Sequence, residues 1–302
     1  MWATGSVAAV ASGFEQVDRV PVRAELGESP VWLPEAGEFL WLDLLGRRVH
    51  GYDPSRRRHR IVAEGFRENL ACLVQLRDGC VLLTTATGFL RLDPASGSTQ
   101  PVALPLAPGR GTCFNDGKVA PDGSFWLGTS DVDESKPIGV LSRITGNGVE
   151  EVDRGFVVSN GPAFSPCGRK AYFSDSVGGR ILQYSLGESG KPLERSLFAT
   201  VPEEDGLPDG LTVDSGGQVL SAHWQGRRVT VYGPDGRIRR MIPVPALNVT
   251  SCAFGGRNHS ALLVTSAATD AGGGPGSTEG DAFLFDCDTG GVGEPAFDMP
   301  AC

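Results

Sequence analysis

The chain has 302 residues, of which 40% are hydrophobic and 21% charged, with a formal net charge of −9 and seven cysteines but no CxxC pair. This balance suits a globular protein with a full core; it argues against nucleic acid or an anionic membrane as the main partner, and no apolar run is long enough to span a bilayer. The odd cysteine count fits free thiols in a reducing cytoplasm better than a disulfide framework or a zinc cluster.

Residues 1–13 open with MWATGSVAAVAS, a short apolar stretch with no basic residue ahead of it. That makes a poor signal peptide, and the segment reads as a disordered tail. A single domain is expected over 14–302. The segment FEQVDRVPVRAEL follows, and then six segments built on one plan: an apolar strand, a turn with Gly, a second strand, a small or acidic residue and a third strand. They begin at Val31, Cys72, Lys118, Ala163, Leu211 and Cys252. A period of about 40–50 residues is that of four-stranded propeller blades, whereas a linear β-solenoid needs shorter repeats. The expected fold is therefore all-β, a six-bladed β-propeller with a central channel. FEQVDRVPVRAEL is left over to supply the outer strand of the last blade and close the ring.

Within this repeat two turn signals stand close together. Pro121-Asp122-Gly123 lies between apolar runs and reads as the first hairpin of the third blade. Asn115-Asp116-Gly117 also reads as a tight turn, but no hairpin is needed there. The offsets explain it. Asn115 lies eight positions before Gly123, Asn160 eight before Gly168, Asp209 eight before Gly217 and Glu28 nine before Gly37, with Thr250 in the matching place of the last repeat. Each would precede the innermost strand of its blade, so all would gather at one end of the channel. Two carboxylates and two amides in one ring call for a hard cation: Ca²⁺, Mg²⁺ or Mn²⁺, with Zn²⁺ also accepted by such ligands.

The second strands return to the same end, which brings Asp43, Thr85, Ser130, Asp175, His223 and Ser266 near the ring. Asp175 and His223 are the candidates to stand behind it. Each residue has a plainer reading. Asn115-Asp116-Gly117 alone is an ordinary turn, Asp175 can bond amides of its own turn, His223 can be a packed channel residue, and Cys113 a buried thiol. Only the repeated offset favours a site. No G-x-S-x-G nucleophile elbow is present.

The stretches LGESPVW, FNDGKVAPDGSFWLGT, SNGPAFSP, YFSDS, LPDGLTVD and TSCAFGG, in this order, resemble the gluconolactonase and regucalcin (senescence marker protein) family from about Glu25 to about Phe285. The resemblance implies a six-bladed propeller that binds one divalent metal and hydrolyses sugar lactones. By position it implies Glu28, Asn160 and Asp209 as metal ligands, and Asn115, with Asp116 beside it, as substrate-binding. Cys113 takes the place of a substrate-binding Arg usual in the family, with Arg110 the nearest replacement. Glu134 is the nearest match to an acidic residue that contacts sugar. The expected reaction is attack of a metal-activated water on a small-molecule lactone, with Asp209 as ligand and general base and the oxyanion held by the metal and the Asn115 amide. The alternatives are ester or phosphotriester hydrolysis on the same propeller, or a non-catalytic metal-binding propeller. A monomer or weak homodimer is expected.

Overall fold

The computed structural model of the protein describes residues 13–271 and 277–299. Six four-stranded antiparallel sheets are arranged in a ring. Their innermost strands are Gly27–Leu33, Leu70–Gln75, Thr112–Val119, Ser159–Phe164, Leu207–Val213 and Asn248–Gly255. These define blades 1 to 6 of the expected propeller. Phe14–Val20 pairs antiparallel with Ala282–Cys287 and completes blade 6, as the leftover segment predicted. The N-terminal strand is thus the outermost strand of the blade whose other three strands come from the C-terminal part of the chain. Residues 1–12 of the expected tail lie outside the described residues, while the Gly13 carbonyl already accepts from the Asp288 N–H at 2.9 Å. No helix among the described residues is long and apolar enough to cross a membrane, and all six described cysteines are free.

The core follows from alternation along the strands. Each blade buries both faces of its sheet against its neighbours, so the strands are apolar on both sides. One buried apolar cluster lies at each of the six junctions between blades. Trp126 and Phe173 meet in the cluster between blades 3 and 4, and Phe39 and Trp41 in the one between blades 6 and 1.

Pro121-Asp122-Gly123 forms the expected hairpin, closed by Gly123 N–H to Ala120 O at 2.8 Å with Gly123 at φ 84°. Asn115-Asp116-Gly117 does not turn. It lies inside the strand Thr112–Val119, where the pairing with the next strand shifts between Phe114 and Gly117. Every innermost strand has such a bulge near its start. The polar positions expected ahead of the innermost strands thus lie within them, at the bulges. An unpaired bulge residue re-aims its side chain without ending the strand.

The far end of the channel is crossed by the C-terminal segment. Gly290 O accepts from Ser215 N–H at 2.8 Å beside blade 5, and Phe297 N–H donates to Gln75 O at 2.8 Å on blade 2. Phe297 is 1% exposed and packs on Phe125, with ring centroids 5.5 Å apart. Between these anchors Glu294 meets Lys118 at 2.9 Å, and Lys118 Nζ also donates to Leu211 O at 3.0 Å. Lys118 is buried, so removing its partner strands an ammonium group. Glu294→Ala is expected to lower unfolding free energy by about 3 kcal/mol, read from the urea midpoint, and Glu294→Gln by less because an acceptor remains. A Glu294→Ala midpoint equal to wild type would show that the pair does not hold the segment.

Candidate functional site

The bulges open onto a cavity of about 160 Å³ at one end of the channel. Glu28, Asn115, Asp116, Asn160 and Asp209 line it, and Glu134 stands at its rim. A wider groove of about 440 Å³ lies between blades 1 and 2, but its Arg56 and Arg60 are paired with Asp53 and Glu38. The chemistry therefore centres on the channel.

Asn115 donates from Nδ2 to Ser159 O at 2.7 Å and to Asn160 Oδ1 at 2.9 Å. Both of its N–H groups are thus in use, and the acceptor oxygen is what it has left to offer. Asn160 donates from Nδ2 to Ser176 Oγ at 3.0 Å, which fixes its oxygen toward the ring. Glu28 takes the Ser29 N–H on Oε2 at 2.7 Å. Asp116 takes the Gly117 N–H at 2.8 Å and, across the blade junction, the Gly161 N–H at 2.9 Å. Both of its oxygens are engaged by backbone, so Asp116 ties blade 4 to blade 3 as well as lining the cavity. Gly210 follows Asp209 because a Cβ there would lie 2.2 Å from Ser251 Oγ.

Three buried carboxylates in one cavity shift one another. Burial, and then the Asp116 charge, raise Glu28 from 4.5 to about 8. Burial raises Asp116 as well, with Lys118 pulling it back. Asp209 is raised by burial, then by Glu28 and Asp116. Lys118, beneath them, is shared with Glu294. The inward-facing donor set is thus oxygen, short of positive charge, and it fits a hard divalent cation. Among the described residues no three His, Cys, Asp or Glu side chains form a metal cluster of their own; the oxygen set at this site mixes carboxylates with amides.

Several expected neighbours of the ring stand elsewhere. Cys113 does not line the cavity; its thiol lies 3.9 Å from Ser130 O, and the short side chain ends there. Asp175 accepts from the Gly178 N–H and pairs with Arg180, closing its own hairpin. Asp43 does the same for the Gly46 N–H and adds the Leu26 N–H. His223 bonds Asp205 O through Nδ1 at 2.9 Å, its Nε2 has no hydrogen-bond partner, and burial lowers it to about 4, so it is neutral. In each case the next residue faces the cavity: Leu44, Ser176 and Trp224. Successive strand side chains point to opposite faces, so an error of one position exchanges turn-closing residues for lining ones. Thr250 bonds Gly27 O and Thr265, and so ties blade 6 to blade 1 instead of lining the cavity.

The chain is similar to known proteins along most of its length. The SMP-30/gluconolactonase/LRE-like region family model matches residues 26–268. Pentonolactonase XacC of Haloferax volcanii is 33% identical over 285 residues, covering 92% of this chain and 96% of that protein. The 6-deoxy-6-sulfogluconolactonase of Pseudomonas putida is 34% identical over 244 residues, covering 80% and 83%. Among solved structures, a calcium-binding regucalcin from Agrobacterium tumefaciens superposes with a TM-score of 0.85 at 26% identity, covering 96% of this chain and 100% of that one. The chain belongs to the SMP-30/gluconolactonase/LRE-like family.

Proposed function

We propose that the protein is a divalent-cation-dependent lactonase, which opens a lactone ring to the hydroxy acid. The observation that carries this reading is the convergence of the oxygen-bearing side chains of Glu28, Asn160 and Asp209 on one small cavity, with no basic residue among the lining. These three side chains would hold the cation. When bound, it supplies a Lewis acid for the lactone carbonyl and acidifies a water molecule.

The chain's own residues then have distinct tasks. Asp209, whose burial raises its affinity for a proton, accepts the proton of the attacking water. The water oxygen bonds to the acyl carbon, the ring C–O bond breaks, and Asp209 returns the proton to the departing alkoxide. Asn115 offers Oδ1 to a substrate hydroxyl. It does not serve as an oxyanion donor, because Ser159 O and Asn160 Oδ1 occupy its N–H groups. Lys118 and the buried Asp116 balance charge beneath the reacting carbon. Names of relatives with high coverage, pentonolactonase and 6-deoxy-6-sulfogluconolactonase, support the reaction class.

Asp209→Asn keeps the shape and loses the base. It is expected to cut kcat by about a thousandfold or more while circular dichroism stays that of wild type. The measurement is acid release from five- and six-membered lactones by chelator-stripped protein resupplied with Ca²⁺, Mg²⁺, Mn²⁺ or Zn²⁺. Aryl esters and phosphotriesters in the same panel test the alternative chemistry, and cation-dependent melting without turnover would point to a binding protein.

A pH prediction follows from Glu28. Its value is raised from 4.5 to about 8, so the fold keeps a proton that the unfolded chain has released. Stability of the cation-free protein is then fullest at acid pH and is lost as pH rises through about 8. His50 and His223 are lowered from 6.5 to about 4 and act in the opposite sense, but only below about 6.5. The melting temperature of stripped protein is therefore expected to fall between about pH 6.5 and about pH 8, and saturating cation should abolish the fall. A flat profile without cation would mean that Glu28 is already ionised.

A further inference from the structure

The floor and the rim of the cavity differ in chemistry. The floor holds Glu28, Asp116, Asn160 and Asp209, all buried. The lining residues that are not buried are Leu26, Asn115, Glu134, Val158, Val177, Leu207 and Trp224. Five of these seven are apolar. They come from blades 1, 4 and 5, and the two polar ones, Asn115 and Glu134, both belong to blade 3. Val177 is 50% exposed, so the apolar side of the rim is open to a ligand. No lining residue is Lys or Arg, and residues 1–12, 272–276 and 300–302 contain neither.

From this division, and resting on the lactonase reading above, we infer the substrate class: an uncharged lactone carrying an apolar substituent. The substituent packs against Trp224, Leu207 and Leu26, and the ring carbonyl points to the floor. An anionic substituent at the rim would meet Glu134, with no Lys or Arg in the lining to receive it, which is discrimination by repulsion. A polyhydroxylated substituent finds polar partners only on blade 3, at Asn115 Oδ1 and Glu134, and would otherwise desolvate against leucine, valine and tryptophan. The cavity volume of about 160 Å³ suits a small ring with a short substituent better than an oligosaccharide.

The test compares three lactones of one ring size on the cation-loaded protein: one with a short alkyl substituent, its polyhydroxylated counterpart, and an analogue bearing a sulfonate or phosphate. The alkyl lactone is expected to have the highest kcat/KM, with a gain of about fourfold for each buried methylene, and the anionic one to fall at least about tenfold below it. Trp224→Ala should lower kcat/KM for the alkyl lactone by about tenfold but for the unsubstituted ring by less than about threefold. Val177→Arg should raise the ratio of anionic to alkyl turnover by about tenfold or more.

The matching lactams, which resist hydrolysis, are titrated by calorimetry in parallel. Lactam affinities in the expected order without turnover of any lactone would overturn the lactonase reading and leave the substituent preference standing. Polyhydroxylated or anionic ligands that equal or exceed the alkyl ligand, in turnover or in lactam affinity, would overturn this inference whatever the chemistry proves to be.

Discussion

Glu28, Asp116 and Asp209 are carried into the end of a channel whose walls are six packed strands, where water cannot hydrate three negative charges at once. Burial of that kind costs several kcal/mol per ion unless a counter-charge or a set of hydrogen bonds offsets it. The rest of the inner structure answers this constraint. Lys118 rises from below, backbone N–H groups of Ser29, Gly117 and Gly161 point at the carboxylates, and the remaining oxygens turn inward toward a place suited to a cation. The bulges are the local device that makes this possible. A regular strand would alternate these side chains between the two faces of the sheet; the bulge lets one blade after another aim an oxygen at the same axis.

Precision at such a site depends on the stiffness of the ring, and neighbouring blades are bonded to each other around most of it. Ser29 Oγ accepts from Leu73 N–H between blades 1 and 2 at 3.0 Å. Ala86 O accepts from Phe114 N–H between blades 2 and 3 at 2.9 Å. Asp116 and Asn115 join blades 3 and 4, and Ser174 Oγ donates to Asp209 O between blades 4 and 5 at 2.7 Å. Thr250 closes blade 6 onto blade 1. Each bond holds a candidate ligand, or the residue next to one, to the neighbouring blade. The N-terminal strand completes blade 6, and the C-terminal segment seals the opposite end with Glu294 and Phe297, so both ends of the described chain serve the ring.

The cavity joins a polar floor to an apolar rim, and the two halves act on different parts of a ligand. Oxygens at the floor suit a cation, and a carbonyl only by way of that cation. Leucine, valine and tryptophan at the rim suit carbon. Exposed apolar side chains around a concave polar site supply binding energy that does not depend on charge, while the lining offers no Lys or Arg to an anion. Cys113 fits this pattern, because a thiol held against Ser130 O adds no cation to the wall.

The sequence determined the period, and with it the six blades, the closing strand and the gathering of Glu28, Asn115, Asn160 and Asp209 at one end. These depend on spacing along the chain, and spacing is what a sequence records. Tertiary structure decided which side chains face the cavity. Asp43, Asp175 and His223 are one position away from Leu44, Ser176 and Trp224, and strand side chains change faces at every step, so a one-residue error in register reverses the assignment. It decided that Asn115-Asp116-Gly117 is a bulge and not a turn, because the pairing shifts between Phe114 opposite Thr129 and Gly117 opposite Leu127. It also decided that Asn115 offers an oxygen, through bonds to residues more than forty positions away, and that Lys118 is held by Glu294, 176 positions along the chain. Such contacts arise only when the ring closes, since nothing local brings those atoms within reach of one another.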